Sequence, residues 1–433
     1  MARRNIIAGI DVGTTKVCTI IAEINENKSA DIIGIGTSPS TGLKKGMVVD
    51  IDDTVSSIQK AVTKAERMAG VEIESAFVGI AGSHISSTNS HGVVAVTGEN
   101  KEITRHDIER VIEATKIISI PPEREIIHVL PREFIVDGCK DIKYPLGMSG
   151  VRLEAETHII TGSATSIQNL IKSIHKVGLD VAGIVLQPLA ASKAVLTESD
   201  KDSGVLVDMG GGTTDIAIFK GGSVWYTSSL PVGGDHVTKD IAEWMRRNVI
   251  MTTSIADAER IKVQYGCASS EFVDEGDEIE LVDSCSNQTR IFSRELLCEI
   301  IQFRVDEIFS LVHQEIIKAG YNGLTPSVMV VTGGGSLLKG IPEFASRKLR
   351  MPVRVGVPDN INSILEYLDG SIYDIGEGYT QFSEDNGAIF STGVGLVHYG
   401  SENYEEYSEQ DMNEELLIKN LFDTVGKWFK NIF

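Results

Sequence analysis

The sequence is poor in cysteine, poor in basic charge and without a long apolar run. Its five cysteines, Cys18, Cys139, Cys267, Cys285 and Cys298, are scattered and form no C-x-x-C pair. This argues against a disulfide framework or a cysteine zinc site, and for a reducing compartment. Lys and Arg number 40 against 61 Asp and Glu, a formal net charge of -21. Nucleic-acid binding needs cations clustered on phosphates, so nucleic acid is not an expected partner. No stretch approaches the roughly 18 apolar residues of a spanning helix. The first apolar run is short and carries Asp11, which is unlike a signal peptide. A cytoplasmic protein is expected. At 433 residues and 42% hydrophobic, it is long enough for several compact units.

Glycine, in contrast, is abundant and clusters where strands end. Gly204-Val-Leu-Val-Asp-Met-Gly-Gly-Gly-Thr-Thr-Asp-Ile-Ala-Ile-Phe219 reads as strand, tight turn, strand. Gly210, Gly211 and Gly212 can turn where side chains would clash, and their N–H groups can surround an anion. Thr213 and Thr214 offer hydroxyls to phosphate oxygens, and Asp208 can face the water shell of Mg²⁺. The same plan stands near the N-terminus in Asn5-Ile-Ile-Ala-Gly-Ile-Asp-Val-Gly-Thr-Thr-Lys-Val-Cys-Thr-Ile-Ile21. Here Asp11 ends the strand, Gly13 turns it, and Thr14, Thr15 and Lys16 follow. Two such hairpins in one chain suggest half-sites facing one ligand. A third stretch, Gly333-Gly-Gly-Ser336, ends the apolar run Val328 to Thr332 and would let a flat base approach the backbone. Gln187 sits where a strand runs into a helix at Pro188, the kind of junction that lines a site in α/β proteins.

The predicted fold class is α/β, with two cores flanking a nucleotide cleft. Residues 1-83 begin the first core, 84-162 form an inserted α/β subdomain, and 163-200 complete the core. Residues 201-247 open the second core, 248-319 form its smaller subdomain, 320-385 complete it, and 386-400 return as a helix to the first. Asp53 or Thr54 is expected to cap a helix over Val55 to Ala69. Thr104 to Asp107 reads as a capping box before a helix over Ile108 to Ile118. Pro131 within the strand Glu125 to Val136 suggests an edge or a bulge. Helices are expected over His236 to Asn248, Asp257 to Tyr265 and Arg294 to Lys318. Asp235 reads first as a helix cap, and Glu259 and Lys262 share a helix face.

The end of the chain has a different composition. Residues 401-415 carry seven acidic side chains and no Lys or Arg, the signature of a solvated linker, reaching at most about 50 Å. Residues 416-433 then place Leu417, Leu421, Trp428 and Ile432 on one helical face. Phe422, Phe429 and Phe433 flank it, with lysines opposite. A tethered amphipathic helix of this kind reads as an in-plane anchor on an anionic membrane surface.

Asp11-Val-Gly-Thr-Thr-Lys16, Gln187, Asp208-Met-Gly-Gly-Gly-Thr-Thr-Asp215 and Gly333-Gly-Gly-Ser336, in that order, resemble two phosphate loops, a connecting segment and an adenosine loop. These are the parts of the actin, heat-shock chaperone and sugar kinase superfamily. Gly46-Met-Val-Val-Asp-Ile-Asp52, the insertion, Pro231-Val-Gly-Gly-Asp235 and the amphipathic terminus make the chain similar, over essentially its whole length, to the FtsA family of bacterial cell-division proteins. That resemblance implies an actin-like scaffold that binds ATP and Mg²⁺ and self-associates into filaments. It would tether the tubulin-like protein FtsZ to the cytoplasmic face of the cell membrane at the septum and recruit later division proteins.

By the same resemblance, Asp11 and Asp208 would hold hydrated Mg²⁺. Gly13, Thr14, Thr15 and Lys16, with Gly210 to Thr214, would bind phosphates. Glu259 and Lys262 would touch ribose and adenine, and Gly333, Gly334, Gly335 and Ser336 would line the base. The FtsZ C-terminal peptide would bind at 248-319, with Arg294 as its anion partner. Gln187 matches a water-positioning glutamine. A neutral amide orients water but is no general base near pH 7, which favours at most slow ATP hydrolysis. A metabolic kinase of the same superfamily is the second reading. It would need an acid at the acceptor hydroxyl; Asp235 is the one nominee.

Overall fold

The computed structural model describes residues 5–25, 29–248, 253–282, 289–320, 326–359 and 384–402. The acidic stretch beyond 402, and with it Leu417, Leu421, Phe422, Trp428, Phe429, Ile432 and Phe433, lies outside the described residues.

Largely apolar strands build the first core. β1 (Ile6–Val12) turns into β2 (Lys16–Ile24), followed by β3 (Ala30–Pro39). A short hairpin, β4 (Leu43–Lys44) and β5 (Met47–Val48), leads into α1 (Ile51–Ala69), then β6 (Ser75–Ile80). The α1 cap is Asp50, whose side chain accepts from the Asp53 N–H. Asp53 and Thr54 already lie inside the helix, whose first backbone bond runs from the Thr54 N–H to the Asp50 carbonyl.

The chain then leaves the core for an inserted domain: β7 (Ser86–Ala95), α2 (Arg105–Thr115), β8 (Arg124–Val136), β9 (Cys139–Ile142) and β10 (Arg152–Ser163). Thr104 forms the reciprocal capping box with Asp107, and the helix starts and ends three residues earlier than its apolar pattern suggests. Pro131 sits at a bulge: Glu133 opposes Glu156 and Pro131 opposes Thr157, leaving Arg132 as the extra residue. The first core resumes with α3 (Ala164–Lys176), β11 (Asp180–Leu186), α4 (Gln187–Val195) and α5 (Glu198–Asp202).

The second core repeats the plan. β12 (Gly204–Met209), β13 (Thr214–Lys220) and β14 (Ser223–Leu230) precede α6 (Gly234–Asn248) and α7 (Ile255–Tyr265). The α7 cap is Ser254, again in a capping box, so that helix begins two residues before Asp257. The hairpin β15 (Glu278–Val282) and β16 (Thr289–Ser293) feeds α8 (Arg294–Lys318). β17 (Val328–Thr332), α9 (Ile341–Leu349), β18 (Val353–Val355) and α10 (Ser391–Glu402) complete the described chain.

The two main sheets have the same topology. One runs β11-β6-β1-β2-β3 and the other β14-β13-β12-β17-β18. In each, the first two strands form an antiparallel hairpin, and the first strand of that hairpin pairs in parallel with a later one. The site therefore forms at the carboxyl ends of β1 and β12, where α/β sheets bind ligands. Between the sheets lie α4 and α10. Ala190, Ala191, Val394 and Val397 share a buried cluster with Cys18 and Ile20 of one sheet and Leu206 and Ala217 of the other. On the outer face of the second sheet, α8 buries Leu297, Ile301, Val305, Ile308 and Val312, each side chain contributing about 1.5–3 kcal/mol. The inserted sheet, β7-β10-β8-β9, keeps its own core around Ile108, Ile112, Phe134 and Leu153.

Candidate nucleotide cleft

A cleft of about 350 Å³ opens between the two sheets. Both hairpin loops reach it, and both close the same way: the Gly13 N–H donates to the Lys16 carbonyl and the Gly210 N–H to the Thr213 carbonyl. The loops interlock. A Cβ at Gly211 would lie 1.9 Å from Thr15 Oγ1, and one at Gly212 would lie 2.7 Å from Thr14 Oγ1. Glycine is required here because the hydroxyls of the opposite loop fill the space. The Pro231-Val-Gly-Gly-Asp235 segment clips onto the second loop through Gly234 N–H to Gly210 O and Asp235 N–H to Gly211 O, both 2.9 Å. A Cβ at Gly233 would stand 2.4 Å from Gly210 O.

Carboxylates form the floor. Asp11 and Asp208 are the next-to-last residues of β1 and β12 and are buried. Asp11 Oδ1 accepts from Gln187 Nε2 at 2.8 Å, and Asp208 Oδ2 accepts from Thr392 Oγ1 at 3.1 Å. Burial raises the Asp11 pKa to about 6; Lys16 opposes the rise and Asp208 adds to it. Burial also raises the Asp208 pKa, against the Thr392 hydrogen bond and the Lys16 charge. Lys16 Nζ donates to the Ile389 carbonyl and stands 5.1 Å from the Phe390 ring.

A third carboxylate, Asp215, belongs to the same floor and was not singled out from the sequence. It sits directly opposite Asp208 in the β12–β13 ladder. Burial raises its pKa to about 7, with smaller pushes in the same direction from Asp208 and Asp11. The hairpin register would have revealed it: a turn between Met209 and Thr214 must place residues 208 and 215 face to face. Asp235 also lines the cleft, with Oδ1 3.4 Å from Thr15 Oγ1; it does not cap α6, which begins at Gly234, but lies in its first turn. Thr392 and Asn386, from the return segment, had no local signal; folding alone brings them to the cleft.

The remaining expected residues divide into those that face the cleft and those that do not. Gly13, Thr14, Thr15, Lys16, Gly210, Gly211, Gly212 and Thr213 line it, as do Glu259, Lys262, Gly333, Gly334 and Gly335. Thr214 is fully buried and its hydroxyl donates to the Val232 carbonyl, so it braces the loop from behind. Ser336 is likewise buried, its hydroxyl closing the glycine turn on the Gly333 carbonyl. It lies inside a 3-10 turn over Gly334–Leu337, and α9 starts only at Ile341. Gly333, at φ 81°, also packs close to Asp208: a Cβ there would stand 2.3 Å from Asp208 Oδ1.

Glu259 and Lys262 pair at 2.7 Å on α7, and both meet the Thr238 hydroxyl of α6. Arg294 faces the far end of the same cleft, its guanidinium held by Asp277 at 2.8 Å and by the Tyr265 carbonyl.

Two family models match the chain: "SHS2 domain inserted in FTSA" over residues 82–161 and "Cell division protein FtsA" over residues 205–394. The Cell division protein FtsA of Pseudomonas aeruginosa is 42% identical over 395 residues, covering 91% of this chain and 89% of that protein. The chain belongs to the FtsA family. Solved structures resemble this FtsA-family fold at low identity. A PilM-PilN type IV pilus biogenesis complex gives a TM-score of 0.62 at 14% identity, covering 91% of this chain and 98% of that one. MreB5 of Spiroplasma citri bound to ADP gives 0.53 at 14% identity, covering 94% and 99%. These neighbours agree with an actin-like fold of two related cores and an inserted α/β domain.

Proposed function

We propose that this FtsA-family chain binds ATP with Mg²⁺ in the cleft and uses the nucleotide-bound state to scaffold cell division. The interlocked loops carry the reading: Gly211 against Thr15 and Gly212 against Thr14, over buried Asp11 and Asp208. Two turns with aligned hydroxyls and an acidic floor suit a polyphosphate and its cation. The MreB5 neighbour, of similar fold, was solved with ADP.

The floor also fits Mg²⁺. Burial raises the pKa of both Asp11 and Asp208, with the Asp208 charge adding to the rise at Asp11, and a divalent cation would offset the cost of keeping them charged. Mg²⁺ keeps several waters and is held by one or two carboxylates plus phosphates, which assigns Asp11 and Asp208 to its water shell. When bound, the ion neutralises phosphate charge. The chain's own residues do the rest: glycine turns admit the phosphates, Thr14, Thr15 and Thr213 orient them, and Gln187, hydrogen-bonded to Asp11, orients water without deprotonating it. Hydrolysis in this reading is slow.

The rest of the proposal follows the family. The chain self-associates, binds the FtsZ C-terminal peptide on the 248–319 subdomain, recruits later division proteins and reaches the cytoplasmic membrane at the septum. No helix among the described residues is long and apolar enough to cross a membrane, and contact is assigned to residues 416-433. An acidic peptide residue reaching Arg294 would replace Asp277.

Titration calorimetry with Mg-ATP tests the cleft. Wild type should bind and Asp208→Ala should bind at least about tenfold more weakly; equal affinity would remove Asp208 from the site. Titration with the FtsZ tail peptide tests the partner, and no binding by the intact chain would overturn it.

A further inference from the structure

The inserted domain touches both cores. On the first-core side, β11 is an edge strand. The N–H of Leu186, its last residue, donates to His128 Nε2 of β8 at 3.0 Å, in a buried contact. The next residue is Gln187, whose amide donates to Asp11. His128 thus holds the residue adjoining the one that meets the cleft floor.

On the second-core side the contact is with β14. His158 of β10 is buried, with Nδ1 2.8 Å from Asn89 Oδ1 and Nε2 2.9 Å from Thr227 Oγ1. The Asn89 oxygen can only accept, so Nδ1 carries the proton and Nε2 accepts from Thr227. Ser87 Oγ donates to the Thr227 carbonyl at 2.9 Å. The Arg132 guanidinium, aimed by the bulge in β8, lies 3.4 Å from the Trp225 ring. Ile160 of the insertion joins Leu186 and Leu189 of the first core, with Leu130 and Val224 packed alongside. Thr227 is two residues from Ser229, which pairs with Asp215 on β13.

We propose that the inserted domain is a second brace between the two cores, in which His128 and His158 are positioning residues, one for each core. The α4–α10 pair joins the cores through apolar packing at one place; the brace adds a polar, directional joint at another. Two joints resist a rotation that one allows. Removing the second should loosen the cores and speed escape of whatever the cleft holds. The nucleotide part of this inference rests on the proposed ATP reading; the mechanical part does not.

The test uses the full chain with His158→Phe and Thr227→Val together, which removes both polar partners and avoids leaving a buried group unpaired. Release of a fluorescent ATP analogue, with Mg²⁺, is followed by stopped flow. Spin labels at Lys60→Cys and Glu343→Cys, with Cys139→Ser and Cys285→Ser, report the distance between cores without nucleotide.

The expected result is release about fivefold faster or more and a broader distance distribution, with His158→Gln restoring most of the wild-type behaviour. Unchanged release together with an unchanged distribution would overturn the brace. If the double variant does not fold, Ser87→Ala with Arg132→Met is read the same way. If wild type binds no ATP analogue, the ATP reading fails and the distance distribution alone decides the brace.

Discussion

The hydroxyl of Thr15 occupies the place a side chain on Gly211 would take, 1.9 Å from the position of its Cβ. Thr15 belongs to the first core and Gly211 to the second, so this contact is one of those that set how closely the two loops approach. Gly211→Ala should therefore act as a wedge. Overpacking of this kind costs about 1–3 kcal/mol. Thermal unfolding should show that loss, and Mg-ATP binding should weaken with it. Thr15→Ala in the same chain should recover part of both, because it removes the nearest atom while leaving its Cβ 3.2 Å away.

The carboxylate floor makes stability depend on pH in an unusual direction. Burial raises Asp11 to about 6 and Asp215 to about 7. A folded state with raised carboxylate pKa values binds more protons than the unfolded chain between about pH 4 and 7. Their contribution is thus fully present below pH 4 and is lost as pH rises through 6 and 7. Asp215→Asn should stabilise the nucleotide-free chain at pH 8 by on the order of a few kcal/mol, seen as a higher melting temperature, and should change little at pH 4. Melting curves at the two pH values check this; a larger gain at pH 4 would contradict the sign.

The helix pair between the cores gives a third prediction. A Cβ at Gly395 of α10 would lie 1.9 Å from the Ala190 carbonyl of α4. Gly395→Ala must push α10 away, and α10 carries Thr392, the donor to Asp208. A loss of about 1–3 kcal/mol in denaturant unfolding is expected, together with weaker Mg-ATP binding. Unaltered binding would separate the helix crossing from the cleft.

Much of this arrangement was legible because it was repeated. The Asp-Gly-Thr pattern at Asp11 and again at Asp208 announced two hairpins, and the shared topology of the sheets shows why. Periodicity likewise placed α8 at Arg294 to Lys318 without error. Helix starts were harder. Asp50 and Ser254 cap α1 and α7, whereas the apolar faces begin further on. Side-chain direction was hardest. Thr213 and Thr214 are adjacent in sequence, yet one faces the cleft and the other bonds the Val232 carbonyl behind it. The role of Pro231 to Asp235 as a clip on the glycine turn depends on backbone groups, which leave no mark in side-chain identity. Thr392 reaches Asp208 from 184 positions away, a contact no local pattern encodes.

The proposal that this chain carries FtsZ to a membrane is tested by co-sedimentation. FtsZ filaments are mixed with anionic phospholipid vesicles and Mg-ATP, with either the full chain or the chain ended at residue 415. FtsZ should pellet with the vesicles when the full chain is present and stay in solution with the shortened one. Equal amounts of FtsZ in the two pellets would contradict the account.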